Sequence, residues 1–240
     1  MPRFFTQDIC ETHGKILGAD ASHISRVLRM KVGEKIEVCD LDGYDYDCAI
    51  RTISADAVEF DVLDKHPSVC EPDVSLTLFM AFPKSDKFEL IVQKCVELGV
   101  SRIVPVISAR CIARPDAKSA IKKLERYNKI AYEAAKQCGR AKIPSVEEFV
   151  DFKTAIELSK QADISMLFYE KGGRGVADIL DGDYKSIAVF VGSEGGFEES
   201  EAELAKKNGV HLAYLGPRIL RCETAAIAAT TTVMFTTGNL

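Results

Sequence analysis

Apolar and polar positions alternate with a period near two over residues 36–63, then give way to longer apolar runs and helical spacing after about residue 74. In the first stretch IEVCD, YDYDCAIRTI and AVEFDVLD read as short strands, and Asp42-Gly43 between the first two is a hairpin signal. HPSVCEPD at 66–73 holds two prolines and no periodicity, so a boundary is expected there, with domains at 1–70 and 71–240. Beyond it, SLTLFMAF (75–82), RIVPVIS (102–108), DISMLFYE (163–170), SIAVFVG (186–192) and HLAYLG (211–216) have the texture of buried strands. Helices are expected at 87–99, ending at Gly99, at 116–138, at 198–209 with acids first, lysines last and Gly209 as the stop, and from about Glu223 onward. Strand–helix alternation of this kind predicts a parallel α/β sheet with ligand loops at the strand carboxyl ends.

Composition narrows the function classes. The chain has 240 residues, 47% hydrophobic and 28% charged, the balance of an ordinary globular protein. The start, MPRFFTQDIC, has no signal-like apolar run, and no stretch reaches membrane-span length, so a cytoplasmic protein without a membrane partner is expected. Eight cysteines at 10, 39, 48, 70, 95, 111, 138 and 222 form no CxxC pair, and His13, His23, His66 and His211 lack zinc-finger spacing. They read as reduced core fillers, and no metal is expected. Net charge is −5, yet residues 110–142 hold ten Lys and Arg against three Asp and Glu, a local +7. Such a stripe can bind phosphates whatever the total charge, although a solvated helix face explains it equally well.

Four motifs carry candidate chemistry. VGSEGGF (191–197) joins a strand to a helix, and Gly192, Gly195 and Gly196 let the backbone come close to a ligand, with Glu194 the loop's one charge. It is neither a Walker loop nor a dinucleotide fingerprint, and GGRGVAD (172–178) has Asp178 in place of the fingerprint's third glycine. LGPRILRCETAA (215–226) makes a rigid bend, presents Arg218 and Arg221, and opens a helix of small residues. AYEAAKQCGRAKIP (131–144) brings Gln137 and Arg140 to a helix end, where Gly139 as a stop and Arg140 on the dipole are the plainer explanation. HISRVLRMKVGEKIEV (23–38) spaces His23, Arg26 and Arg29 by three, so one helical turn would gather them as a phosphate contact.

Singly these motifs are weak; in this order they resemble the RsmE family of ribosomal RNA uridine-N3 methyltransferases, of the SPOUT class, nearly end to end. HISRVLRMKVGE is similar to that family's RNA-binding segment in a PUA-like β-barrel. KFELIVQKCVELGV resembles its first core helix and EAAKQCGR its Glu-Gln-Ser-x-Arg motif, with Lys136 and Cys138 as departures. VGSEGGF resembles its Gly-Pro-Glu-Gly-Gly loop with Ser193 in the proline position, and LGPRILRCETAAI matches its most specific motif.

The resemblance implies an α/β fold: a C-terminal SPOUT domain with a deep trefoil knot, plus a small N-terminal PUA-like β-barrel. It implies a homodimer that binds S-adenosylmethionine and methylates N3 of a uridine in 16S ribosomal RNA of the small ribosomal subunit. Carried onto this chain, the cofactor residues are Leu167, Tyr169, Gly192, Gly195, Gly196, Leu215, Gly216, Ile219, Leu220, Thr224 and Ala225. Glu194 is the candidate base and Arg221 the candidate for stabilising the uridine anion or fixing a phosphate. His23, Arg26, Arg29, Gln137 and Arg140 are the candidate RNA contacts. Three rivals stay open on sequence: a non-catalytic RNA-binding assembly factor, a methyltransferase acting on another RNA, and a nucleotide-dependent oxidoreductase.

Overall fold

The computed structural model describes residues 1–54 and 56–240. The chain divides into two compact units, the first made of residues 1–71 and 135–143, the second of 72–134 and 144–240. A single cut near residue 70 therefore leaves out a second excursion of the chain, which the helical pattern through 138 gives no reason to expect.

The first unit is a five-stranded sheet in the order β1-β3-β4-β5-β2, from β1 (Arg3–Phe5), β2 (His13–Leu17), β3 (Lys35–Cys39), β4 (Tyr44–Ile53) and β5 (Ala57–Pro67). All pairs are antiparallel except β1 with β3. The segment after β1 bonds to β2 through Thr6 Oγ1 to the Lys15 carbonyl (2.9 Å) and the Lys15 N–H to the Asp8 carbonyl (2.9 Å), joining the sheet's two edges. Alternation sends Ile16, Ile36, Val38, Tyr46, Cys48, Ile50, Val58 and Phe60 into one core. The β3–β4 connection is longer than a two-residue turn. Asp40 accepts the N–H groups of Asp42 (2.8 Å) and Tyr44 (3.1 Å), and Leu41 and Gly43 both take positive φ, +64° and +101°. Arg3, 9% exposed, donates to Glu37 and to Asp45 (2.5 Å) and thereby satisfies buried charge.

The second unit is a parallel sheet in the order β12-β10-β11-β6-β7-β8, with a further short strand, β9, also on β7. Its strands are β6 (Ser75–Ala81), β7 (Arg102–Ile107), β8 (Ser145–Val146), β9 (Val150–Asp151), β10 (Ile164–Phe168), β11 (Ser186–Val191) and β12 (His211–Ala213). β6, β10 and β11 are buried on both faces, hence their unbroken apolar runs, and Phe79 stacks on its register partner Phe190 with centroids 4.6 Å apart.

Helices cover the faces. Besides α1 (Gly18–Ser22) in the first unit they are α2 (Lys87–Glu97), α3 (Ala117–Cys138), α4 (Phe152–Ser159), α5 (Val176–Ile179), α6 (Glu199–Lys207) and α7 (Cys222–Thr236). α2 buries Phe88, Ile91, Val92, Cys95 and Val96, one stripe at helical spacing, and α7 buries Ala226, Ala229, Thr230, Val233 and Met234 at the same spacing. The two stripes meet, with Thr230 Oγ1 3.4 Å from Cys95 Sγ. The short α1, α4 and α5 lie outside the sequence expectation: none exceeds eight residues, too brief to show a period. Among the described residues no helix is long and apolar enough to cross a membrane.

Candidate cofactor and RNA site

Strand order decides where a ligand can enter the second unit. The chain passes from β10 to its neighbour β11, then crosses to β12 on the other side of β10. The direction of travel across the sheet thus reverses at β11, and the crevice outside the carboxyl ends of such strands is where open α/β sheets bind ligands. The three loops leaving β10, β11 and β12 wall a cavity of about 290 Å³, lined by 168–170, 191–196 and 214–220, and by Cys222 and Ala225 of α7. That volume is close to the lower end of small-molecule pockets, roughly 300 Å³.

The middle loop is held by backbone contacts. Its turn is closed by the Gly196 N–H on the Ser193 carbonyl (2.9 Å), and a Cβ on Gly192 would meet the Gly196 Cα at 2.9 Å, so only glycine fits there. Arg110 Nη1 donates to the Gly195 carbonyl (2.9 Å). Glu201, 8% exposed, accepts from the backbone N–H of Ala109 (2.8 Å) and of Glu198 (2.9 Å), the latter completing the capping box of α6. The loop is therefore fixed between the end of β7 and the start of α6. In the wall, the buried hydroxyls of Tyr169 and Ser193 have no hydrogen-bond partner among the described residues.

An ionic cluster lies at one side of the cavity. Lys87, the first residue of α2, places Nζ 3.0 Å from Glu194 and 3.4 Å from Glu223 in the first turn of α7. Glu194 also faces the Lys84 N–H at 3.3 Å, and the Cys222 thiol donates to Glu223 at 3.2 Å. Burial works to raise the Glu194 carboxyl, but its own backbone N–H, the Lys87 ammonium and the Lys84 N–H together hold it below the usual carboxylate range. Glu223 is likewise lowered, chiefly by its own backbone N–H at the helix start, while burial pushes the Cys222 thiol up to about 12 and keeps it protonated.

Of the residues expected at a cofactor site, Tyr169, Gly192, Gly195, Gly196, Leu215, Gly216, Ile219, Leu220 and Ala225 line the cavity, as does Glu194. Leu167 does not; it is fully buried inside β10, one peptide short of the strand's open end. Thr224 is exposed on the first turn of α7 and also lies outside the lining. Arg221 is the exposed N-cap residue of α7, its side chain making no ion pair or hydrogen bond among the described residues. The nearby carboxylates of Glu194 and Glu223 both pair with Lys87. Lys87, which opens KFELIVQKCVELGV, and Arg110, which opens the basic stretch 110–142, gave no sequence sign of a link to these loops, since their partners lie 85 or more residues away.

The expected RNA contacts divide. His23 and Arg26 sit on a single wide turn of π-helix (His23–Val27), and Arg29 follows it with φ +52°, so the three do not share one α-helical turn. All three are exposed, as is Gln137. Arg140 is a correction: it is 3% exposed, with Nη2 2.9 Å from Glu71 Oε2, and Glu71 Oε1 accepts the N–H groups of Ala141 and Lys142 at 2.8 and 2.9 Å. Its guanidinium is used inside the first unit and is not presented to RNA. In the second unit Lys118, Lys122, Arg126 and Lys129 recur along one exposed face of α3.

The chain matches two family models, an RNA methyltransferase domain over residues 70–234 and an RNA methyltransferase PUA domain over residues 16–63. It is 34% identical to the ribosomal RNA small subunit methyltransferase E of Bacillus subtilis (strain 168), covering 94% of this chain and 91% of that one. It is 30% identical to the protein of the same name from Mesomycoplasma hyopneumoniae (strain 232), over 95% and 96% of the two. A crystal structure of the Neisseria gonorrhoeae ribosomal RNA small subunit methyltransferase E bound to S-adenosyl methionine superposes with a TM-score of 0.87 at 29% identity, covering 98% of this chain and 97% of that one. With its parallel sheet, PUA-like first unit and strand-end cavity, the chain belongs to the RNA methyltransferase family, among the ribosomal RNA small subunit methyltransferases E.

Proposed function

We propose that the chain is an S-adenosylmethionine-dependent methyltransferase acting on N3 of a uridine in 16S ribosomal RNA, in the cytoplasm and as a homodimer, with the cofactor in the cavity at the ends of β10, β11 and β12. The observation that carries this reading is the cavity itself: three backbone-rich loops at the switch point of the sheet, in a chain that aligns almost end to end with a relative bound to S-adenosyl methionine. The residues fit that group. Gly192 leaves no room for a Cβ, the hydroxyls of Tyr169 and Ser193 are free of partners among the described residues, and the carboxylates of Glu170 and Glu194 suit a cationic ligand. The knotted threading of 215–236 belongs to the same reading.

When bound, S-adenosylmethionine supplies a methyl group on a sulfonium leaving group. The chain has to align the uracil and manage the proton on N3, and alignment alone contributes several kcal/mol. Glu194 is held ionised against its burial by its own backbone N–H, Lys87 and the Lys84 N–H, so it stands ready to accept a hydrogen bond from N3–H at neutral pH; its lowered basicity leaves positioning as the larger effect. Arg221, without a side-chain partner among the described residues at the start of α7, is able to reach O2, O4 or a phosphate of the target. His23, Arg26 and Arg29, Gln137 and the α3 stripe serve as RNA contacts. The exposed Ile219 and Phe235, with α7, form the dimer face.

The test is transfer of tritiated methyl from S-adenosylmethionine to small subunits, to naked ribosomal RNA and to transfer RNA from a strain lacking this activity. Label in 3-methyluridine of small-subunit RNA is expected; label only in transfer RNA, or none, refutes the reading.

A further inference from the structure

We infer that Lys87 is a positioning residue that ties two walls of the cavity together, its ammonium holding Glu194 of the middle loop and Glu223 of α7 in one ionic triad. The inference rests on the cofactor reading above and goes beyond it: Lys87 opens the segment KFELIVQKCVELGV, but the resemblance gives it no role there and the cavity lining does not include it. Three separate chain segments meet at one nitrogen: the start of α2, the loop after β11 and the start of α7. Both carboxylates lie within 3.4 Å of Nζ, and the side chains of Lys87, Glu194 and Glu223 are 32%, 33% and 16% exposed. One cation thus serves two anions in a partly shielded place.

The other groups facing the triad do not replace that cation. The Lys84 N–H and the Cys222 thiol each donate a hydrogen bond, to Glu194 and Glu223 respectively, but neither carries a positive charge. Without the ammonium, two carboxylates on opposing walls face each other and repel. The loop carrying Gly192–Gly196 and the α7 start carrying Cys222 and Ala225 then separate, and the cavity between them widens. A proton can stand in for the lost cation, because a carboxylate pair sharing one proton attracts where the doubly ionised pair repels.

Calorimetric titration of the full-length protein with S-adenosylmethionine between pH 5.5 and 7.5 tests this. Wild type is expected to bind with an affinity nearly independent of pH, since backbone N–H groups and Lys87 together hold both carboxyls below the usual carboxylate range. Lys87→Met is expected to bind at least tenfold more weakly at pH 7.5 and to regain most of that loss at pH 5.5. Combining Lys87→Met with Glu223→Gln removes the repulsion and is expected to restore affinity at pH 7.5. Lys87→Gln serves in the same series should Lys87→Met melt below the working temperature. Wild type that shows no binding overturns the cofactor reading and this inference with it. Wild type that binds, beside a neutral Lys87 variant that binds equally well, or one whose loss is untouched by acid and by Glu223→Gln, overturns the triad alone.

Discussion

Gly216→Ala separates backbone strain from steric clash more cleanly than any other substitution in the cavity wall. Gly216 has φ +107°, a conformation that L residues with a side chain rarely adopt, and a Cβ built there meets nothing within 4 Å. The cost is thus conformational alone, about 1–3 kcal/mol. It can fall in two places. If the loop 214–220 relaxes in the free protein, the cofactor must restore the strained form, and affinity for S-adenosylmethionine drops about 5- to 150-fold at unchanged stability. If the loop cannot relax, unfolding becomes easier by the same amount while affinity holds. Calorimetric titration and urea denaturation on the same preparation measure both, and their losses should total about 1–3 kcal/mol. Gly192→Ala is the contrasting case, because its Cβ would lie 2.9 Å from a backbone atom of Gly196, and it should lose more affinity than Gly216→Ala. Losses below about 0.3 kcal/mol in both measurements for Gly216→Ala would refute the strain argument, since this is under the usual error of additivity.

Other substitutions probe the remaining assignments. Arg221→Lys should keep its melting temperature and cofactor affinity yet lose at least about tenfold in kcat, roughly 1.4 kcal/mol of barrier, and unchanged turnover in Arg221→Ala would remove the residue from the site. Arg140→Ala should destabilise the first unit by about 3–5 kcal/mol by leaving Glu71 unpaired, whereas Arg26→Ala should leave melting unchanged and flatten the salt dependence of RNA binding. Asp151 caps α4 through the Thr154 N–H (2.7 Å), and that bond is the first cause of its lowered pKa; its stabilisation is present above the ordinary value of 3.8 and fades as pH falls through the lower folded value. Asp151→Ala should therefore cost about 1 kcal/mol at pH 7 and progressively less in acid, as urea melts at several pH values will report. Sedimentation at micromolar concentration should give a dimer, and an active monomer would sink the proposed assembly.

Much of the fold is legible in the sequence because the relevant signals are local. A continuous apolar run such as SLTLFMA announces a strand buried on both faces, and the spacing of Phe88, Ile91, Val92, Cys95 and Val96 announces a one-sided helix. The cavity loops are legible for a related reason, since glycines crowded between a strand and a helix mark close backbone approach. What the sequence hides is long-range pairing. Nothing around Lys87 points to Glu194 or Glu223, and nothing around Arg140 points to Glu71, although those pairings decide which charged groups remain free to meet a ligand. Leu167 shows the same limit on a finer scale: one peptide along β10 separates a side chain packed in the sheet from one that faces the cavity.

The cysteines carry a practical consequence. All eight are free thiols; Cys10 and Cys70 are exposed, while Cys39, Cys48, Cys95, Cys111 and Cys222 are buried. Burial raises Cys39 to about 11 and Cys48, Cys95 and Cys222 to about 12, so at neutral pH almost none of these four is thiolate, the form that reacts. A thiol reagent added to the native protein will therefore mark the exposed Cys10 and Cys70 first and the half-buried Cys138 next, well before the four raised thiols. An adduct on Cys39 or Cys48 then records an opening event of the first unit, and one on Cys95 or Cys222 an opening event of the second. The chain thus holds its own pulse-labelling probes, able to time the breathing of each unit separately without a single residue being changed.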